Sequence, residues 1–337
     1  MKFKQLLLYL FHKFQHERTI SAPYHLLKGK KSGQTIQDVG LFSLYPYFGL
    51  LPKLSRERFD EAVAQLVSEQ LLNIGEQGYY TLTHVADAPQ PSYFDGWHYR
   101  GNEHLFFARL SLAVQTLSQQ QANNLQFVPL QKDEHVQRYV RDFLRWAHYE
   151  TGTIGHVLKE ELHIICTQLR SGAAQLLLLR LSGAHVTGYS WAQLADYRDE
   201  TVLDTQLTFI SVLHEVLTLI QVSNVPLLQA LAQHIKIDTV VTSSAAQTAH
   251  YYAQGYSLED IASMRRLKMS TIEDHIVEMA MSDRTFSLVP FVQKSDAEEV
   301  LALAQQLQTR KLKLLKEKLP HLTYFQLRLI LAKGEYV

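Results

Sequence analysis

The chain has 337 residues, 46% of them hydrophobic, and its 33 Lys and Arg are balanced by 33 Asp and Glu. That length predicts two or three domains with full cores. The zero net charge excludes a protein that coats nucleic acid by bulk electrostatics, and a single cysteine excludes a disulfide framework or a cysteine-built zinc site.

Charge is unevenly spread. Lys and Arg against Asp and Glu number 10 to 4 over residues 1–60, 11 to 18 over 61–240, 4 to 6 over 241–290 and 8 to 5 over 291–337. Basic ends flank an acidic middle, so nucleic-acid contacts are expected at the termini.

The start, Met1 to Phe11, has a signal-peptide look. Its apolar core is short, and His12, Lys13, His16, Glu17 and Arg18 follow where a small-residue cleavage site belongs. An amphipathic first helix of a cytoplasmic, nucleoid-associated protein is the expectation, and no run reads as long enough to cross a membrane.

Helical spacing continues over Ser21–Leu27 and Thr35–Leu44, with the basic turn 28–33 between them. Ser55 then caps a helix carrying Phe59, Val63, Leu66 and Val67 on one face. Residues 71–83 read as a strand, a glycine-containing turn and a second strand rich in aromatic and β-branched residues. Helices ending in such a hairpin describe a winged-helix-like domain over 1–88; a generic α+β domain with a terminal hairpin is the alternative. Lys28, Lys30, Lys31, Arg56 and Arg58 are its candidate phosphate contacts. Tyr79 or Tyr80 offers a ring for base stacking, or else packs across the hairpin.

Ala88 to Gly96, with two prolines and a glycine, is the clearest linker. An all-helical middle domain is expected over 97–237, in helices near 105–120, 134–149, 155–169, 173–181 and 203–220. Leu176–Leu181 reads as its most buried stretch, and Cys166, in the apolar run 162–169, as a buried thiol.

Signatures of catalysis are missing. Lys30 follows Gly29, but Tyr24 stands where a phosphate loop needs its first glycine, and Lys31 where a hydroxyl should meet magnesium. His156, Glu160 and His163 share a helix face without forming a zinc motif, and isolated helical histidines are usually satisfied without a metal. No catalytic residue, metal or cofactor is expected.

The most specific signal lies in the third domain, 239–337. Gly255 to Met279 reads as two short helices joined by a tight turn. Ser257 with Asp260, and Ser270 with Glu273, have the spacing of helix caps. Ile261, Ala262, Leu267, Ile272 and Ile276 supply the apolar contacts of a helix-turn-helix. Arg265, Arg266 and Lys268 cluster near the turn, where they would meet phosphates. Ser270 and Thr271 open the second helix, whose free amides favour an anion, and His275 is that helix's one potentially basic side chain. Glu273, Asp274 and Glu278 oppose phosphate on the same helix, although a carboxylate can accept from a cytosine amine. Whether this unit docks on DNA or on protein stays open. The whole chain is thus expected to be mainly α: winged-helix-like, helical middle, helix-turn-helix.

The run Tyr252 to Ile276, with Gly255, Tyr256, Ser257, Leu258, Glu259, Asp260, Ile261 and Ala262, resembles the helix-turn-helix at the C-terminus of some bacterial RecQ-type helicases. Leu314 to Pro320 and Leu322 to Ala332 resemble the tail of that module. Ser21 to Asp38 is similar to the start of the YpbB-like proteins of Gram-positive bacteria, whose three-part layout agrees across essentially the whole chain. The resemblance implies a non-catalytic accessory, made as a separate chain, of a RecQ-family DNA helicase in repair or recombination, with the helicase and a DNA fork or single-strand junction as partners. It implies no catalytic residues. A sequence-specific transcription regulator using the same motif is the competing expectation.

Overall fold

The computed structural model describes residues 2–14, 16–83, 93–124, 126–237, 242–283, 285–307 and 309–334. Of the linker expected over 88–96, residues 88–92 lie outside them, as do 239–241 at the expected start of the third domain. The protein is mainly helical, and its one described sheet is a hairpin.

In chain order the N-terminal part holds α1 (Phe3–Lys13), α2 (Ser21–Lys28), α3 (Gly33–Leu41) and α4 (Arg56–Ser68), then strands β1 (Leu72–Ile74) and β2 (Tyr80–Leu82). The strands are antiparallel, with Leu72 opposite Leu82 and Ile74 opposite Tyr80. Helices followed by a hairpin give the winged-helix-like layout. Ser55 caps α4 as its sequence implies, accepting from the Arg58 N–H at 3.3 Å.

The middle part holds α5 (Gly96–Tyr99), α6 (Glu103–Gln121), α7 (Glu134–Trp146), α8 (Ile154–Gln168), α9 (Ala173–Leu178), α10 (Trp191–Arg198), α11 (Val202–Val222) and α12 (Pro226–Leu231). The C-terminal part holds α13 (Ser243–Ala253), α14 (Leu258–Arg265), α15 (Met269–Ser282), α16 (Lys294–Gln306), α17 (Leu312–Lys318) and α18 (Tyr324–Lys333). These pieces form two units. One comprises Met1–Leu6 and Pro89–Ile237; the other joins Leu7–Ala88 to Asp238–Val337. The expected first and third segments therefore share one unit.

In the first unit, α6, α8, α9, α10 and α12 pack around α11. Phe209, Val212, Leu213, Val216 and Leu217 of α11 are buried, so α11, rather than Leu176–Leu181, is the deepest helix. Leu178 is in fact about half exposed. Contrary to the sequence expectation, α11 is long and apolar enough to cross a membrane. Its burial, with Thr205, Ser211, His214 and Glu215 also inside, makes it a core helix. Cys166 is half-buried, and burial pushes its thiol pKa up. Glu161, on α8, accepts from the Leu227 and Leu228 N–H groups at 3.0 and 2.8 Å. It thereby satisfies the orphan donors that open α12, just after Pro226.

In the second unit α15 is the central helix, contacted by α3, α13, α14 and α18. Close approach of α3 depends on Gly40. A Cβ there would lie 2.9 Å from the Ala332 Cβ on α18 and 3.0 Å from the Met281 Sδ on α15.

Candidate nucleic-acid interface

The helix-turn-helix forms as its spacing dictates. Ser257 accepts from the Asp260 N–H at 3.1 Å and gives its hydroxyl to the Asp260 carboxylate at 2.7 Å. Helices α14 and α15 pack together, and Ile261, Ile272 and Ile276 are all fully buried. Arg266 closes α14 in a left-handed conformation, φ 53°. One cap differs from expectation. Helix α15 begins at Met269 behind Lys268, so Ser270 lies inside the first turn and caps nothing.

The larger correction concerns the second helix, the one that would enter a DNA groove. From Ile272 to Met281 its side chains are buried or half-buried, because α3, α13 and α18 cover it. Each ionisable side chain on it has an internal partner. Asp274 accepts from Gln37 at 2.8 Å and from Arg328; Glu273 lies 3.6 Å from Arg328. Glu278 takes the Thr242 N–H at 2.6 Å and the Thr242 hydroxyl at 2.9 Å, fixing the start of α13. The carboxylates that looked unsuited to phosphate are thus ties between helices.

His275 does not face a ligand. It is 6% exposed, its Nδ1 sits 2.8 Å from the Thr248 hydroxyl, and its ring lies beside the Arg265 guanidinium. Arg265 is likewise turned inward, donating to the Ser244 carbonyl at 2.8 Å, the Ser244 hydroxyl and Gln247 at 3.0 Å, and Thr248. Burial, then the Arg265 charge, holds the His275 pKa below the ordinary imidazole value. A depressed folded-state pKa stabilises above the unfolded value and loses that contribution as pH falls through the folded one. We expect the second unit to weaken below about pH 6.5. His275→Gln, which keeps a hydrogen-bonding group for Thr248, should flatten that slope in urea melts at neutral and acidic pH. An unchanged slope would remove His275 as its source.

The remaining candidates divide by what they touch. Lys28 lies over the Tyr24 ring at 5.7 Å. Arg56 covers Tyr24 and Phe59, pairs with Asp60 at 2.8 Å and donates to Ser21 at 3.1 Å. Lys30, Lys31, Arg58, Arg266 and Lys268 are exposed and have no side-chain partner among the described residues. Ser270 is exposed and Thr271 half-buried.

Lys30 and Lys31, adjacent in the turn before α3, open onto two different clefts. Lys30 lines one of about 440 Å³ with His25, Ser21, Ser32, the Arg18–Asp38 pair and the hairpin residue Tyr79. Lys31 lines another of about 510 Å³ with Ser243, Ser244, Thr271 and Asp274. In the first, burial and the Lys30 and Arg56 charges keep His25 below the usual imidazole pKa, so it offers a neutral hydrogen-bonding group near neutral pH. The two tyrosines separate cleanly. Tyr80 is buried, its hydroxyl donating to the Phe11 carbonyl at 2.7 Å, whereas Tyr79 is 48% exposed at the cleft. Sequence reasoning missed His25 and Arg18, whose place in the cleft depends on where α2 and α3 pack.

Comparisons agree with the architecture. Residues 244–331 match the family model described as a helix-turn-helix domain. No solved structure is significantly similar to the chain. Protein YpbB of Bacillus subtilis (strain 168) is 31% identical over 332 residues, covering 95% of this chain and 94% of that protein. With identity at that level along nearly its whole length, the chain belongs to the YpbB family.

Proposed function

We propose that the protein is a non-catalytic, DNA-binding accessory of a RecQ-family helicase, acting in repair or recombination on forks or single-strand junctions. The observation that carries this reading is the enclosure of α15. A transcription regulator needs a second helix with side chains free to reach base edges, and here those side chains are tied to α3, α13 and α18. What remains at the surface is a set of exposed cations, Lys30, Lys31, Arg58, Arg266 and Lys268, with the exposed ring of Tyr79. Cations of this kind contact backbone phosphate, and an exposed ring stacks on an unpaired base. Such a surface favours structure over sequence.

One binding series tests it, comparing fork, single strand and random duplex across salt concentrations. The expected order places the fork first, with affinity falling steeply as salt rises. Lys30→Glu with Lys31→Glu should weaken fork binding by more than about tenfold at low salt. Tight, sequence-selective duplex binding would instead favour the regulator. The partner half of the reading is tested by copurification from the source cell. Recovery of no helicase, together with no effect on helicase unwinding, would overturn it.

A further inference from the structure

The solvent face of α7 carries three arginines and a tryptophan. Successive residues turn by 100° on a helix, so Arg141, Arg145 and Arg138 fall within about 60° of one another, and Trp146 lies about 80° beyond Arg138. The opposite face, Val136, Val140, Phe143 and Leu144, is buried in the core of the first unit. Asp133 caps the helix, accepting from the His135 and Val136 N–H groups at 2.8 and 3.3 Å. The Tyr139 hydroxyl donates to the Ala230 carbonyl at 2.6 Å, with Arg109 over its ring at 3.6 Å. The face is therefore held rigid before any partner arrives.

Arg138 and Arg141 are exposed and have no hydrogen-bonding or ionic partner among the described residues. Arg145, 73% exposed, has only Asp142 at 3.4 Å. The one other carboxylate on this face, Glu134, stands in the first turn, where the helix dipole favours it. Trp146 is 58% exposed. Trp97 is 1% exposed, and Trp191 lies under the Arg180 guanidinium at 4.1 Å. Three arginines, whose planar forks suit phosphate, stand here beside an open indole.

We propose that this face is a second nucleic-acid contact, binding single-stranded DNA, in the unit that the charge count alone marks as acidic. From Arg138 to Arg145 the helix rises about 10 Å, so the three guanidinium groups are spread along a line that successive backbone phosphates of one strand can follow. The tryptophan beside them offers a ring for a base, and only an unpaired base has a free face to give it. The choice of DNA rests on the function proposed above; the site is separate from the cations of the second unit.

The test uses the full chain and a labelled oligothymidylate of about 20 nucleotides, longer than one such site requires. Wild-type tryptophan emission should be quenched on binding, and Trp146→Phe should abolish the quench. Replacing Arg138, Arg141 and Arg145 together by glutamine should weaken binding at least tenfold at low salt. It should also lower the slope of log affinity against log salt by about 2, from about 0.7 per lost phosphate contact. These side chains are exposed, so the fold should persist, which circular dichroism checks. Unchanged affinity and slope in the arginine variant would overturn the inference. So would a quench produced by polyglutamate and not by oligothymidylate, which would make the face a site for an acidic protein. If the Lys30 and Lys31 variant alone loses binding, this inference falls while the proposed function stands. If the wild type binds neither single strand nor fork, both fall.

Discussion

Gly40→Leu should cost the second unit at least about 3 kcal/mol, seen as a lower urea midpoint. Inserting a side chain into a well-packed core ordinarily costs about 1–3 kcal/mol, and here the nearest obstacles include backbone. A Cβ at position 40 already lies 3.1 Å from the Ala332 Cα as well as within 3.0 Å of the Ala332 Cβ and Met281 Sδ. A leucine cannot rotate away from those atoms; α3 must lift from α15 and α18. The lift would also strain the Gln37–Asp274 bond, which is 2.8 Å long. Gly40→Ala meets the same first contacts with less bulk, and it gains helix propensity of about 0.5–1 kcal/mol. It should therefore lose less. An unchanged midpoint for the leucine variant would mean that α3 does not rest on α18 in solution.

Glu161→Ala should destabilise the first unit by about 2–4 kcal/mol. The carboxylate is 4% exposed and receives two backbone N–H groups at the start of α12. Removing it leaves both donors buried without a partner, at about 1–3 kcal/mol each, offset in part by no longer burying a charge. Glu161→Gln keeps an acceptor oxygen and should lose less. Burial pushes the Glu161 pKa up, against the pull of the Leu227 and Leu228 N–H groups. A raised folded-state pKa stabilises fully below the unfolded value, and that contribution is lost as pH rises through the folded one. The glutamine variant should thus flatten any fall in stability that begins as pH climbs past about 4.5. Equal stability of the alanine variant and the wild type would show that α12 does not need this cap.

Much of the local structure was legible. Ser55 and Ser257 each cap the helix that follows. A cap is satisfied within one turn of chain, so a few residues encode it. Ser270 has the same local signature and caps nothing, because α15 already begins at Met269 and Ser270 lies within its first turn. The enclosure of α15 had a partial signal. Ile276, Val277, Met279, Ala280 and Met281 spread over about 200° of the helix, wider than the apolar stripe of a surface helix. The acidic side chains drew attention instead to what the helix could not read. Their partners Gln37 and Arg328 stand on other elements, the first 237 residues away in sequence, and no periodicity reports that distance. The basic candidates show the same divide. Arg56 and Lys30 look alike in a charge count, yet one lies against aromatic rings and a carboxylate while the other opens onto a cleft.

By itself, the sequence determined the mainly helical class, the capped helix pair, the hairpin after α4 and the likeness to YpbB-like proteins. All of these rest on hydrogen bonds and apolar spacing within a few turns of chain. Only the tertiary structure decided that residues 7–88 and 238–337 form one unit, that α15 is a core helix, and which cations reach solvent. The physical reason is burial. A side chain's charge belongs to its residue, but its availability depends on elements hundreds of residues distant that cover it or leave it open.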